Sequence, residues 1–273
     1  MVSRNAHSPV FIVGSPRSGT SILVDGLLSA GYEGYREGSF LSLITPLSTI
    51  IDRHYSVFAT GNPKLLISQV PKDRLKGELF EALKRIVEEH NKSAPWLDKT
   101  GNPEMVQAIP ALRALWTDSV FIFAKRRGIE NVVSRLKKFP QHNFRYHCDD
   151  WARNMRSWRD IRDTLPGHAR LEIDQQEIAQ FPENTADRIA TFLNINDSAA
   201  RIIADTFREK RPQQTSDGTA SRLLDLTGTR WSQDQIEVFQ QSCSAEMDAY
   251  GYSLDSTYWR LQQRAPSETA VGS

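Results

Sequence analysis

The sequence predicts an α/β fold in which a central, mainly parallel sheet is covered by helices on both faces, a three-layer sandwich. Two short apolar runs, Val10–Val13 and "VFIFA" at 120–124, read as strands buried on both faces. Amphipathic stretches of helical spacing alternate with such strands along the chain. Both apolar runs also pass at their carboxyl ends into loops rich in glycine or basic residues. Ligands of parallel sheets bind beyond the carboxyl ends of the strands.

The elements follow in order. Residues 1–8 are a polar leader. After Val13, "GSPRSGTS" turns into a helix from Ser21 to Ser29, with Ile22, Leu23, Leu27 and Leu28 inward and Gly31 as its cap. "GYEGYREGSF" holds a short second strand ending near Glu37. Residues 40–75 read as an insertion over a site: an apolar stretch interrupted by Pro46, then a loop, "TGNPKLLISQVPKDR". Leu75 to Asn91 is an amphipathic helix with Leu79, Leu83, Ile86 and Val87 inward. "APWLDKTGNPE" gives a short strand to Asp98, a turn and a helix. After "VFIFA", the run "KRRGIENVVSRLKKF" opens another helix. "QHNFRYHCDD" places His142 and His147 beside Cys148 and Asp149; a polar loop is the preferred reading over metal binding. Residues 148–165 form a helix with Trp151 and Trp158 inward and Arg153, Arg156 and Arg159 outward. "ARLEI" at 169–173 is a strand, "FPENTADRIATFLNI" a helix, and "RWSQDQIEVFQQSCSAEMDAYGY" a last helix. Residues 9–262 are read as one domain, and 263–273 as a loose tail.

Composition narrows the function. A chain of 273 residues that is 39% hydrophobic can build a sizeable core. Its net charge of +1 excludes a general nucleic-acid-binding surface, so any basic site is local. Two cysteines, Cys148 and Cys243, are too few for a disulfide framework and read as reduced thiols. With neither a signal peptide nor an apolar run long enough for a bilayer, a soluble cytoplasmic protein is expected.

The first loop carries the chemistry. Gly14 and Gly19 let successive backbone N–H groups turn onto an anion, and the helix starting near Thr20 adds its positive end. Arg17 adds charge and Thr20 and Ser21 add hydroxyl donors, with Ser15, Pro16 and Ser18 completing the candidate binding loop. A triphosphate loop G-x-x-x-x-G-K-[ST] would have lysine where this chain has Thr20. The second apolar strand ends in Lys-Arg-Arg rather than in a metal-binding carboxylate. A phosphate without a polyphosphate tail suits both observations.

"VGSPRSGTS" resembles the 5′-phosphosulfate loop of sulfotransferases that use 3′-phosphoadenosine 5′-phosphosulfate, PAPS. The resemblance implies a P-loop-like sulfotransferase fold and a donor, PAPS, leaving as adenosine 3′,5′-bisphosphate, PAP. The second motif of that family is a strand-end arginine with a serine eight residues later, on the 3′-phosphate; Arg126 and Ser134 have that spacing. Where the family often has Asp-Pro this chain has Arg127-Gly128, which leaves open whether Arg127 shares the contact. "WLDKTGNPE" resembles the lysine turn, implying that Lys99, with Arg17, meets the transferring group. "RLEIDQQEIAQFPENTADRIATFLNI" resembles a scaffold segment, with Asn194 in place of a glycine. "GTRWS" resembles the late loop over the nucleotide, with Arg230 as its contact. The lysine turn has no histidine, so the resemblance is to the glutamate branch, with Glu37 as general base; Glu33, His54 and Glu104 are reserves. The resemblance implies metal-independent transfer, in a branch whose members modify carbohydrates and tyrosines; the expected cytoplasmic location favours a small-molecule or carbohydrate hydroxyl over a protein tyrosine. Two rivals remain at this point. One is an atypical small-molecule kinase using Asp98 for its metal; the other is a non-catalytic PAP-binding module.

Overall fold

The computed structural model describes residues 8–91, 95–210 and 223–260. The predicted tail 263–273, and the leader apart from residue 8, lie outside them. The described residues fall into two compact units, one of 8–125 with 154–210 and the other of 126–153 with 223–260.

The first unit holds the sheet. Strand β1 (Val10–Gly14) is completely buried and runs into helix α1 (Thr20–Ser29). Strand β2 (Glu33–Tyr35) follows. Helices α2 (Ile44–Phe58), α3 (Leu66–Gln69) and α4 (Lys72–His90) separate it from β3 (Trp96–Thr100). Then come α5 (Pro103–Gln107), α6 (Ile109–Leu115) and β4 (Val120–Lys125). Helices α7 (Gly128–Lys138) and the first part of α8 (Phe144–Arg162) belong to the second unit. The chain returns through the rest of α8 to β5 (Arg170–Asp174), α9 (Gln175–Gln180), α10 (Pro182–Leu193) and α11 (Asp197–Glu209). Helix α12 (Gln233–Ala249) lies in the second unit.

The five strands are all parallel, in the order β2-β3-β1-β4-β5. Alternation along β1 gives each face its own core. Val10 and Ile12 join Leu97, Ile122 and Ile173 against Leu23, Leu27, Ile189, Ile203 and Phe207 of α1, α10 and α11. Phe11, on the opposite face, packs with Trp96, Trp116 and Phe121, and Phe123 stacks on Trp158 at 4.8 Å. Helices therefore cover both faces, as the alternating pattern predicts. Trp151 and Trp158 of α8 are buried and Arg153 and Arg156 exposed, also as predicted.

Several elements differ from the expectation. Pro46 does not interrupt α2; it is the third residue of the helix, where a missing N–H costs no hydrogen bond. The loop expected before residue 75 contains α3 and the start of α4. The buried face of α4 is Phe80 and Val87, while Leu79 and Ile86 are exposed. The segment expected as a polar loop enters α8 at Phe144 and buries His147 and Cys148. Strand β2 stops at Tyr35 and β3 continues to Thr100. Helix α11, not anticipated, is capped by Asn196, whose side chain accepts from the Ala199 N–H at 2.9 Å. Asn194 ends α10 at φ 54°, a left-handed position that asparagine tolerates in place of glycine.

The rim of β5 carries a charged cluster within the first unit. Glu172 accepts from Lys125 Nζ at 2.7 Å, Trp158 Nε1 at 2.7 Å and Arg162 Nη1 at 3.1 Å. Burial alone would raise its pKa; the Lys125 ammonium, the indole N–H and Arg162 outweigh burial and hold it at about 2. A depressed carboxylate stabilises the fold above its unfolded pKa and loses that contribution as pH falls through the folded one. Glu172→Gln is therefore expected to cost about 3 kcal/mol at neutral pH, with the gap from wild type closing between pH 4.5 and about 2. Urea denaturation at pH 7 and at pH 3 reads both parts.

Candidate active site

The loop from β1 to α1 sits at the middle of the sheet. Gly14 has φ 134°, and any Cβ there would run into the Ala124 carbonyl of the neighbouring strand. Ser15, Ser18 and Thr20 are buried, Pro16 and Arg17 half-buried, and Ser21 exposed. Arg17 takes a left-handed φ of 72°, which turns the loop tightly enough for the Ser18 N–H to reach Ser15 O at 3.2 Å. Gly19, at a left-handed φ of 90°, begins α1 with no side-chain hydrogen bond capping the helix. Gln175 and Ile178 of α9 brace Gly19 on one side, and Gly101 lies against Gly14 O and Pro16 on another. The eight predicted loop residues thus form one tight turn between the end of β1 and the start of α1.

Gly101 ends the turn that follows Lys99. Lys99 lies in β3 with a side chain 5% exposed, and its ammonium donates to Glu37 Oε1 on a side chain 64% exposed. Two separately predicted residues are therefore in contact: a buried cation reaching the strand end and a carboxylate open to solvent. Asp98 and Thr100 point to the opposite face of β3 from Lys99. Burial raises Asp98 to about 6, with its hydrogen bond from Thr100 acting against that. Gly38 is packed so tightly on this carboxylate that no side chain fits between them. Asp98 is a closed-off strand carboxylate, not the open metal ligand of the kinase alternative.

The reserve carboxylates and imidazole lie elsewhere. Glu33 opens β2, His54 is exposed on α2 against Phe58, and Glu104 is in the first turn of α5.

In the second unit, Arg126 is half-buried just past β4, and its carbonyl accepts from Trp151 Nε1 at 3.1 Å. Ser134 is buried on α7. Arg127 answers the question its position raised. It is fully buried, and its guanidinium is taken up by Glu130 and by the carbonyls of Leu224, Ser253, Asp255 and Thr257. It binds the late segments to α7 and has no fork left for a phosphate. Arg230 is exposed at φ 59°, next to Trp231, which packs on Phe144 and Phe239. Cys148 and Cys243 are free and buried. His147 accepts from Arg135 Nε at 3.4 Å, and its pKa is lowered, first by burial and then by Arg135.

A family model described as "Sulfotransferase family" matches residues 9–199, well over half of the chain. The chain belongs to the sulfotransferase family. Among solved structures, it is similar to a Mycobacterium avium sulfotransferase at 15% identity and TM-score 0.57, covering 92% of this chain and 79% of that one. A Mycobacterium tuberculosis H37Rv sulfotransferase matches at 14% identity and TM-score 0.50, covering 88% and 78%. A mouse sulfotransferase solved in complex with PAP matches at 17% identity and TM-score 0.50, covering 88% and 84%. At these identities the likeness establishes the fold. No curated protein matches the chain in sequence. Among the described residues of this sulfotransferase-family chain, no helix is long and apolar enough to cross a membrane.

Proposed function

We propose that the protein transfers the sulfonate group of PAPS to a hydroxyl of a small-molecule or carbohydrate acceptor. The observation that carries the reading is the Lys99–Glu37 contact at the end of β3, with Gly101 just beyond it packed on the turn at 14–21. A base and a cation held at one strand end suit a reaction that removes a proton from an attacking hydroxyl while charge grows on a leaving oxygen.

In this reading residues 14–21 bind the 5′-phosphosulfate through backbone N–H groups and the uncapped start of α1. Arg17 and Lys99 stabilise negative charge on the bridging oxygen and the sulfonate. Glu37 accepts the acceptor's proton. The acceptor oxygen forms its bond to sulfur as the sulfur–oxygen bond to the phosphate breaks, in line and without a metal, and PAP leaves. Arg126 and Ser134 hold the 3′-phosphate, on the strength of their eight-residue spacing at the end of β4. Arg230 is assigned to the nucleotide. Acceptor choice falls to residues 40–75, whose helices expose Ile50, Val57, Phe58 and Leu66.

Calorimetric titration with PAP, and separately with ATP plus magnesium, tests the donor. PAP is expected to bind tightly, and Arg126→Ala to weaken it by about 10- to 100-fold, the worth of a charge-assisted phosphate contact. Magnesium-dependent ATP binding with none of PAP would overturn the reading in favour of a kinase.

A further inference from the structure

The Glu37 carboxylate sits on an exposed turn, yet it has to stay on a buried lysine. What holds the turn is on the other face of β3. Gly38 N–H donates to Lys99 O at 2.8 Å, which seats the turn on the strand end. Ser39 N–H donates to Thr100 Oγ1 at 2.9 Å, and Thr100 Oγ1 donates to Asp98 Oδ1 at 3.1 Å. Gly38 lies flush on the same Asp98 carboxylate. Ser39 itself is bent to a left-handed φ of 53°, and its carbonyl accepts from Ser42 Oγ at 3.1 Å. The chain thus wraps the carboxyl end of β3, with Glu37 on Lys99 at one face and Gly38–Ser39 on Asp98 and Thr100 at the other.

We propose that Asp98, acting through Thr100 and the backbone of Gly38 and Ser39, is the positioning residue that seats Glu37 on the Lys99 ammonium. A buried carboxylate is costly unless its hydrogen bonds are made, so its retention here needs a reason beyond packing. The orientation of the Thr100 hydroxyl supplies one. Its proton goes to Asp98, which leaves its lone pair aimed at the Ser39 N–H. Without the carboxylate the hydroxyl is free to rotate and the turn loses its anchor. The role of this device in catalysis rests on the sulfotransferase reading; the device itself does not.

The test is the rate at which an N-hydroxysuccinimide ester acylates Lys99, followed by peptide mass spectrometry, because Glu37 has to leave before the buried amine can react. Glu37→Ala sets the fast limit. Thr100→Val and Asp98→Ala are each expected to speed acylation by about five-fold, the factor one hydrogen bond carries. Neither is expected to speed it further in the Glu37→Ala background. Asp98→Asn, whose amide oxygen still accepts from Thr100, is expected to restore a near-wild-type rate. Wild-type rates in both Thr100→Val and Asp98→Ala would overturn the proposal. So would equal acceleration in the Glu37→Ala background, since the effect would then be a general loosening of β3. In PAPS turnover Thr100→Val is expected to lower kcat about five-fold with donor affinity unchanged. The expected acylation pattern without any sulfonate transfer would overturn the sulfotransferase reading and leave the positioning role standing.

Discussion

Glu37→Gln is expected to lower kcat for sulfonate transfer by about 10²- to 10⁴-fold, the usual share of a general base. PAP affinity should stay within about two-fold of wild type, because nothing in the donor assignment involves this side chain. Glutamine is the right replacement because of Lys99. The Lys99 side chain is 5% exposed, and a replacement with no acceptor would change the environment of its charge along with removing the base. The amide oxygen of glutamine can still accept from the ammonium, while the group can no longer take a proton. Stopped-time assays with PAPS and the acceptor, beside PAP calorimetry on the same variant, separate the two effects. Full activity in Glu37→Gln would remove this residue from the chemistry and return attention to Glu33, His54 and Glu104. A parallel loss of PAP affinity would mean that Glu37 shapes the donor site instead.

Gly14→Ala is expected to destabilise the protein by about 4 kcal/mol or more, enough to prevent folding in a domain of ordinary stability. Two costs add. The φ of 134° is one that residues with a side chain rarely adopt, and the new methyl would overlap the Ala124 carbonyl. Neither neighbour can give way, since β1 is the middle strand and Gly14 is in register with Ala124 of β4. Moving either strand would break the sheet where both cores meet it. Expression of soluble protein and the urea midpoint of any that folds read the effect directly. A Gly14→Ala protein with a wild-type midpoint would show that the strand spacing at this point is looser than described.

The two effects differ in kind. Gly14 holds the first turn through the sheet, so its loss takes the fold with it. Glu37 hangs on a turn that the sheet supports, so its loss leaves the fold and removes only the carboxylate proposed as the base. That division is usual where a rigid scaffold carries mobile functional groups.

Much of this was legible in the residues themselves. Two continuous apolar runs ending in glycine and basic loops predict parallel strands with a ligand rim, because only strands covered on both faces can be apolar at every position. The turn at 14–21 was legible for the same local reason: glycines, hydroxyls and a helix start coincide within eight residues. The spacing of Arg126 and Ser134 was likewise a property of the chain alone. Misreadings came where a local rule met a tertiary fact. Pro46 reads as a breaker until its place in the first turn of α2 is known. Leu79, Ile86 and Val87 fit an inward stripe, but of these three the neighbours of α4 bury Val87 alone, with Phe80 beside it. Asp98 and Arg127 could be singled out as charged residues near motifs, yet no pattern in one chain says which way such a side chain is answered. Arg127 is enclosed by Glu130 and by carbonyls 97 or more positions along the chain, and Asp98 by a turn some sixty positions earlier. Periodicity and loop chemistry are local and survive in sequence. The partners of a buried charge are set by which distant segments fold over it, and these only the tertiary structure decides.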